Sequence, residues 1–252
     1  MPEPNLAEVG EGQLPILVFR AVENAQACMK AGDFEKALKM TQSMDEFCIK
    51  KEAPPPLHAL VLRVMAENYA MMERQDEARE VTQRAISLVK PLTKRKDDMN
   101  EFMKADVFNR MGDLLSTLGD IEMSIEGRAK QGLSAFRKSA EHYNEIPACT
   151  EREANAMGRV GLILFMMEKW EESLEALQQQ DHLLRNCPEA VRSDLNQKYL
   201  GNCLANQGCC YQRMGNTDLA VQIWEQALPI SEAANDVQEV TNLKGLLAGK
   251  FD

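Results

Sequence analysis

The chain has 252 residues, 44% hydrophobic and only 6% aromatic, so its core must be built from Leu, Ala, Ile, Val and Met, a mixture that favours helices over sheets. Its formal net charge of -10 argues against a nucleic-acid backbone as partner, because that needs clustered positive charge. Seven Cys, an odd number with no CxxC pair, argue against a disulfide framework and a structural zinc site.

In chain order, residues 1–13 carry Glu3, Glu8 and Glu11 with neither a basic start nor an apolar stretch, and are expected to be a flexible tail rather than a targeting signal. No apolar run approaches the roughly 20 residues of a membrane span, which predicts a soluble, cytoplasmic protein and no membrane partner. Helix pairs are then predicted over approximately 16–51, 57–90, 101–146, 151–186 and 192–233, followed by a capping helix near 236–248, all in a single domain.

The pairs rest on five segments that share a helix-turn-helix pattern. Three read alike, beginning Ala31-Gly32-Asp33-Phe34, Leu118-Gly119-Asp120-Ile121 and Met214-Gly215-Asn216-Thr217. Two form a second set, Met71-Met72-Glu73-Arg74 and Met166-Met167-Glu168-Lys169. A Gly at the turn ends one helix in a left-handed conformation, and the Asp or Asn after it can cap the next. Small residues recur in the first helices at Ala25, Ala66, Gly112, Gly161 and Gly208, and in the second helices at Ala37, Ala78, Ser173 and Ala220, where two helices must approach closely. The third pair is irregular. Its turn is expected at Gly119, yet Gly132 to Pro147 reads better as its second helix, with Ala135 at the close contact; either that helix is lengthened by about three turns, or it is broken at Gly127 and Gly132. Proline linkers are expected at 54–56, 91–100, 147–150 and around Pro188, all between pairs.

This grammar resembles the tetratricopeptide repeat (TPR) family. Phe108 four before Gly112, Tyr69 three after Ala66, Tyr211 three after Gly208, and late Ala85 and Ala227 stand where that family's pattern has a large residue, an aromatic and a small one. The spacing of the small positions is longer than the family's usual repeat, similar to the repeats of polarity adaptors and kinesin light chains. The resemblance implies an all-α, right-handed superhelical solenoid of about five helix pairs with a capping helix. It also implies ligands in a concave groove lined by the first helix of each pair. Its candidate residues are Arg63 with Glu67, then Asp106, Asn109, Arg110 and Asp113, then Asn155 and Arg159, then Asn202 and Asn206. Asn155 with Arg159 and Asn202 with Asn206 are i, i+4 pairs that share a helix face. Asn can serve both donors and acceptors of an extended peptide backbone, and Arg can fork onto a carboxylate. The plain alternative is a polar face needed only for solubility. The family's clamp for chaperone C-termini needs Lys and Asn where this chain has Val22 and Gln26, so that role is not expected.

Other features have bland readings beside sharper ones. Cys203, Cys209 and Cys210 could serve a soft metal or a redox switch, or be buried small hydrophobes. Lys94-Arg95-Lys96 is followed by Asp97-Asp98, which cancels much of its field. Arg128, Lys130, Arg137 and Lys138 could dock an acidic partner or be ordinary helix surface. The Met71-Met72 and Met166-Met167 pairs could form an adaptable surface or pack at the helix turn. His58, His142 and His182 stand in no ligand spacing, and no GxSxG, P-loop or dinucleotide fingerprint occurs. No catalytic residue, metal or cofactor is therefore assigned. The expectation is a non-catalytic scaffold that binds a peptide or helix of another protein within a larger assembly of cytoskeletal, motor or ciliary type. A TPR-type peptide-sensing receptor is the alternative.

Overall fold

The computed structural model describes residues 13–249; the expected N-terminal tail lies outside them apart from Gln13. Among the described residues there are eleven α-helices, three short 3-10 turns and no strand. The chain divides into two compact units, the first ending at Arg128 and the second beginning at Ala129.

The first unit holds α1 (Leu14–Lys30), α2 (Phe34–Lys50), α3 (Pro55–Met71), α4 (Gln75–Thr93) and α5 (Glu101–Ser124). Neighbours in sequence pack on one another, and α5 rests on α3 and α4. A buried carboxylate ties three of these helices together: Asp45 of α2 meets His58 Nε2 of α3 at 2.6 Å and accepts from the Arg84 guanidinium of α4, Nη1 at 2.9 Å. The second unit holds α6 (Ala129–Asn144), α7 (Thr150–Met166), α8 (Trp170–Arg185), α9 (Asn196–Arg213), α10 (Thr217–Ala233) and α11 (Val237–Leu247). Here α6 packs on α7, the α7/α8 and α9/α10 hairpins stack, and α11 closes on α10. Trp224 is fully buried at the centre of the second unit's core.

One turn geometry recurs. After α1, α2, α3, α7, α9 and α10 a residue stands in the left-handed region: Gly32, Glu52, Glu73, Glu168, Gly215 and Asn235. The next backbone N–H then donates five residues back, as Asp33 to Cys28, Arg74 to Tyr69, Lys169 to Leu164 and Asn216 to Tyr211, each at 2.9 or 3.0 Å. This Schellman closure satisfies the carbonyls that a helix end leaves open. The Met-Met-Glu turns therefore do with Glu what the other turns do with Gly.

The segment Leu118-Gly119-Asp120 departs from expectation. Rather than turning, α5 runs through Gly119, and the chain breaks at 125–128, where Gly127 has φ +77°. A lone helical Gly costs only about 1 kcal/mol. Continuing the helix keeps Ile121 in the core and brings the buried Glu122 carboxylate onto the Arg128 guanidinium. Neither reading of this stretch holds as expected: the first helix, α5, is the one lengthened, the connection falls at Gly127, and Gly132 lies inside an unbroken α6. The prolines also differ from a simple linker reading. Pro55 and Pro56 open α3, where a missing N–H is harmless, while Pro91 lies in the last turn of α4 and Pro229 within α10.

Helix contacts are set by matched sizes. A Cβ built on Gly161 of α7 would lie 2.7 Å from Leu177 Cγ of α8, and one on Gly208 of α9 would lie 2.3 Å from Trp224 Nε1 of α10. At the corresponding positions of the first unit, Ala25 and Ala66 are matched in sequence by the smaller Thr41 and Thr82, whose hydroxyls donate to the carbonyls of Ala37 and Ala78. Where the first helix has given up its methyl group, the second carries the larger side chain.

Candidate functional site

The second unit places Asn155 and Arg159 of α7 and Asn202 and Asn206 of α9 around one cavity of about 370 Å³, together with Gly158 and Leu162 of α7, Gln180 of α8, and Tyr199 and Cys203 of α9. The floor is built by close packing: Gln180 is buried, and a Cβ on Gly158 would lie 2.5 Å from its Nε2. Glycine at 158 is thus what lets α8 approach α7 and leaves the cavity walls to the Asn and Arg side chains. Asn202 Oδ1 is shielded from solvent and receives no hydrogen bond. An amide oxygen left in that state costs roughly 1–3 kcal/mol until a donor reaches it. Arg159 is exposed, and Leu162 and Tyr199 supply apolar surface beside it.

The candidates of the first unit lie on α3 and α5. Arg63 is bonded to Glu67 one turn on along α3, and Arg110 lies 3.7 Å from Asp106 and 3.9 Å from Asp113 within α5. Burial raises the Glu67 carboxyl, the Arg63 charge opposes this, and Asp113 and Asp120 add to the rise. The guanidinium groups there are engaged with the chain's own acids. Asn109 is half-buried on α5.

Two further clefts open on the second unit. One, of about 420 Å³, lies between α9 and α11 and is lined by Asn206, Cys209, Glu239, Asn242 and Leu246 among others. Asn206 borders both this cleft and the α7–α9 cavity. The sequence reading gave α11 a capping role only and passed over Glu239 and Asn242; the 47-residue step from Asn155 to Asn202, taken once more, lands on Gly249 and misses them. The other cleft, also about 420 Å³, is formed by α6, α7 and α8 and holds Arg137, Glu141, Asn144 and the buried Glu153. Burial raises the Glu153 carboxyl although Asn144 donates to it at 2.9 Å. Of the basic stretch, Arg137 lies 3.7 Å from Glu172 and Arg128 is taken up by Glu122.

The thiols of α9 behave as core. Cys203 Sγ donates to the Leu177 carbonyl at 3.1 Å and Cys210 Sγ to Ser173 Oγ at 3.3 Å. Burial pushes Cys203 up to about 12 and Cys209 up to about 11. Neither Met pair enters the core: Met71 and Met166 are exposed and Met72 and Met167 half-buried. Lys94, Arg95 and Lys96 are exposed, with Arg95 3.5 Å from Asp98. No helix among the described residues is long and apolar enough to cross a membrane.

No family model matches the chain, and no curated protein matches it by sequence. Solved structures do match. BtubC (BKLC) from P. vanneervenii superposes with a TM-score of 0.73 at 17% identity, over 88% of this chain and 83% of that one. The TPR-like repeats of a putative kinesin light chain from Podosopora anserina superpose with a TM-score of 0.65 at 13% identity, over 87% of this chain and 97% of that one. This chain has a TPR-type fold. YrrB, described as a TPR protein with an unusual peptide-binding site, is similar with a TM-score of 0.54 at 16% identity, over 89% of this chain and 90% of that one. In the TPR-type arrangement α7 and α9 are the first helices of their pairs, so the α7–α9 cavity lies on the first-helix face of the second unit.

Proposed function

We propose that the chain is a non-catalytic interaction module that binds an extended peptide segment of another protein in the α7–α9 cavity. One observation carries this reading: Asn155, Arg159, Asn202 and Asn206 converge on a single cavity whose Asn202 Oδ1 is sheltered from water and lacks a donor. An extended peptide presents a backbone N–H on each edge at every second residue, which suits an amide oxygen held in place. Arg159 at the rim suits a carboxylate of the same peptide. The peptide-binding site named for YrrB supports the reading by analogy of fold. Cys203, Cys210 and His58 are each taken up by partners within the core.

The test starts from a peptide recovered from a stoichiometric partner that co-purifies with the full chain. Arg159→Ala with Asn202→Ala should weaken its binding by well over tenfold, since hydrogen bonds to a charged group are worth about 1.5–3 kcal/mol, with far-UV circular dichroism unchanged. Undiminished binding by that double variant would remove the cavity from the site.

A further inference from the structure

The α9–α11 cleft adjoins the α7–α9 cavity, because Asn206 borders both. Its distinguishing group is Glu239, in the first turn of α11 and half-buried over the cleft. Within the cleft the carboxylate has only a 3.5 Å contact from Asn242 Nδ2, whose own Oδ1 accepts from Gln238. Lys244 pairs with Glu232 at 3.0 Å, and Lys198 with Asp236 at 3.3 Å. A carboxylate placed only to favour a helix N-terminus would remain in water; this one has been drawn over a cavity of about 420 Å³.

We infer that Glu239, flanked by Asn206 and Asn242, forms a subsite for a basic side chain, Lys or Arg, of the peptide held between α7 and α9. The inference rests on the reading of that cavity as the peptide site. It assigns the ligand a charge pattern: an acidic group opposite Arg159 and a basic group opposite Glu239. Burial raises the Glu239 carboxyl first of all, the Asn242 amide opposes that rise, and the Asp236 charge adds to it; no cation is among the groups acting on it. An arriving ammonium or guanidinium would favour the ionised form and satisfy its open lone pairs. The capping helix thereby becomes a wall of the binding face.

The experiment screens the full chain against a positional-scanning library of short peptides with acetylated and amidated ends, so that every charge belongs to a side chain. The wild type should select Lys or Arg at one position and Asp or Glu at another. Glu239→Lys should reverse the first preference and leave the second, with roughly tenfold weaker binding of the wild-type consensus, as a close charge pair predicts; Glu239→Gln should lose the first preference without reversing it. Peptides that bind through Arg159 and Asn202 yet show no basic preference, or an unaltered one in Glu239→Lys, would overturn the subsite and leave the α7–α9 site standing. Absence of binding from the whole library would overturn both.

Discussion

Gly208 and Trp224 fit one another across the α9/α10 hairpin: the indole fills the space where a side chain at 208 would begin, and its Nε1 donates to the Ala205 carbonyl at 3.1 Å. The ring is fully buried and cannot yield. Gly208→Ala should therefore destabilise the second unit even though Ala is the better helix former by about 1 kcal/mol. Overpacking against a fixed ring costs about 1–3 kcal/mol and wins. Because Ala opposite Thr is the combination at 25/41 and 66/82, adding Trp224→Thr should cost less in the Gly208→Ala background than alone, with a coupling above about 0.5 kcal/mol in urea titrations followed by circular dichroism. Strict additivity would refute the size match.

The turns make a second test. Glu73 and Glu168 hold φ of 61° and 60° at exposed positions equivalent to Gly32 and Gly215. A left-handed conformation costs a side-chain-bearing residue roughly 1–2 kcal/mol, against roughly 0.5–1 kcal/mol for the extra freedom of an unfolded Gly. Glu73→Gly and Glu168→Gly should each stabilise the chain by roughly 0.5 kcal/mol, and Gly32→Ala and Gly215→Ala should destabilise it by about 1 kcal/mol. Thermal melts by circular dichroism read the signs. A loss on Glu73→Gly would mean that its side chain contributes something the turn geometry does not contain.

Much of the helix grammar was legible because it is local. Gly32-Asp33 and Gly215-Asn216 announce a left-handed turn and a cap by chemistry alone, and the Met-Met-Glu turns followed by placement between amphipathic stretches. Gly119-Asp120 carries the same letters and does not turn, since the burial of Ile121 and the grip of Arg128 on Glu122 decide it, and those are tertiary facts. The site divides the same way. The i, i+4 spacing put Asn155 with Arg159 and Asn202 with Asn206 on shared faces, but not that Arg63 and Arg110 would be engaged by neighbouring acids, nor that α11 would bring Glu239 beside Asn206.

Thiol chemistry separates the core reading of α9 from a redox one. A thiol near 12 has, at pH 8, a thiolate population roughly a thousandfold below that of an ordinary one. Cys203, pushed that high by burial, and Cys209, half-buried and raised to about 11, should resist iodoacetamide until the chain unfolds. Mass-spectrometric mapping against labelling time checks this. Early modification of Cys203, or a Cys203–Cys210 disulfide under mild oxidation, would reinstate the switch.

Asp45 fixes the acid limit of the first unit. Burial by itself would raise its carboxyl, but the hydrogen bonds from His58 and Arg84, with their charges, outweigh burial and hold it below the ordinary carboxylate range. A carboxyl whose folded value lies below its unfolded value, near 3.9, contributes stability that is fully present above about pH 4 and disappears as pH falls through the folded value. Asp45→Asn should therefore lower stability at pH 7 by about 2 kcal/mol, less than a fully buried pair would lose because the Arg84 side chain is 41% exposed. The deficit should narrow steadily below pH 4, as the wild type surrenders what the variant never had. Urea midpoints followed by circular dichroism between pH 7 and pH 2.5 measure it. An equal deficit at both ends would show that the side chain acts through its shape in the α2–α3–α4 contact and that its charge is incidental.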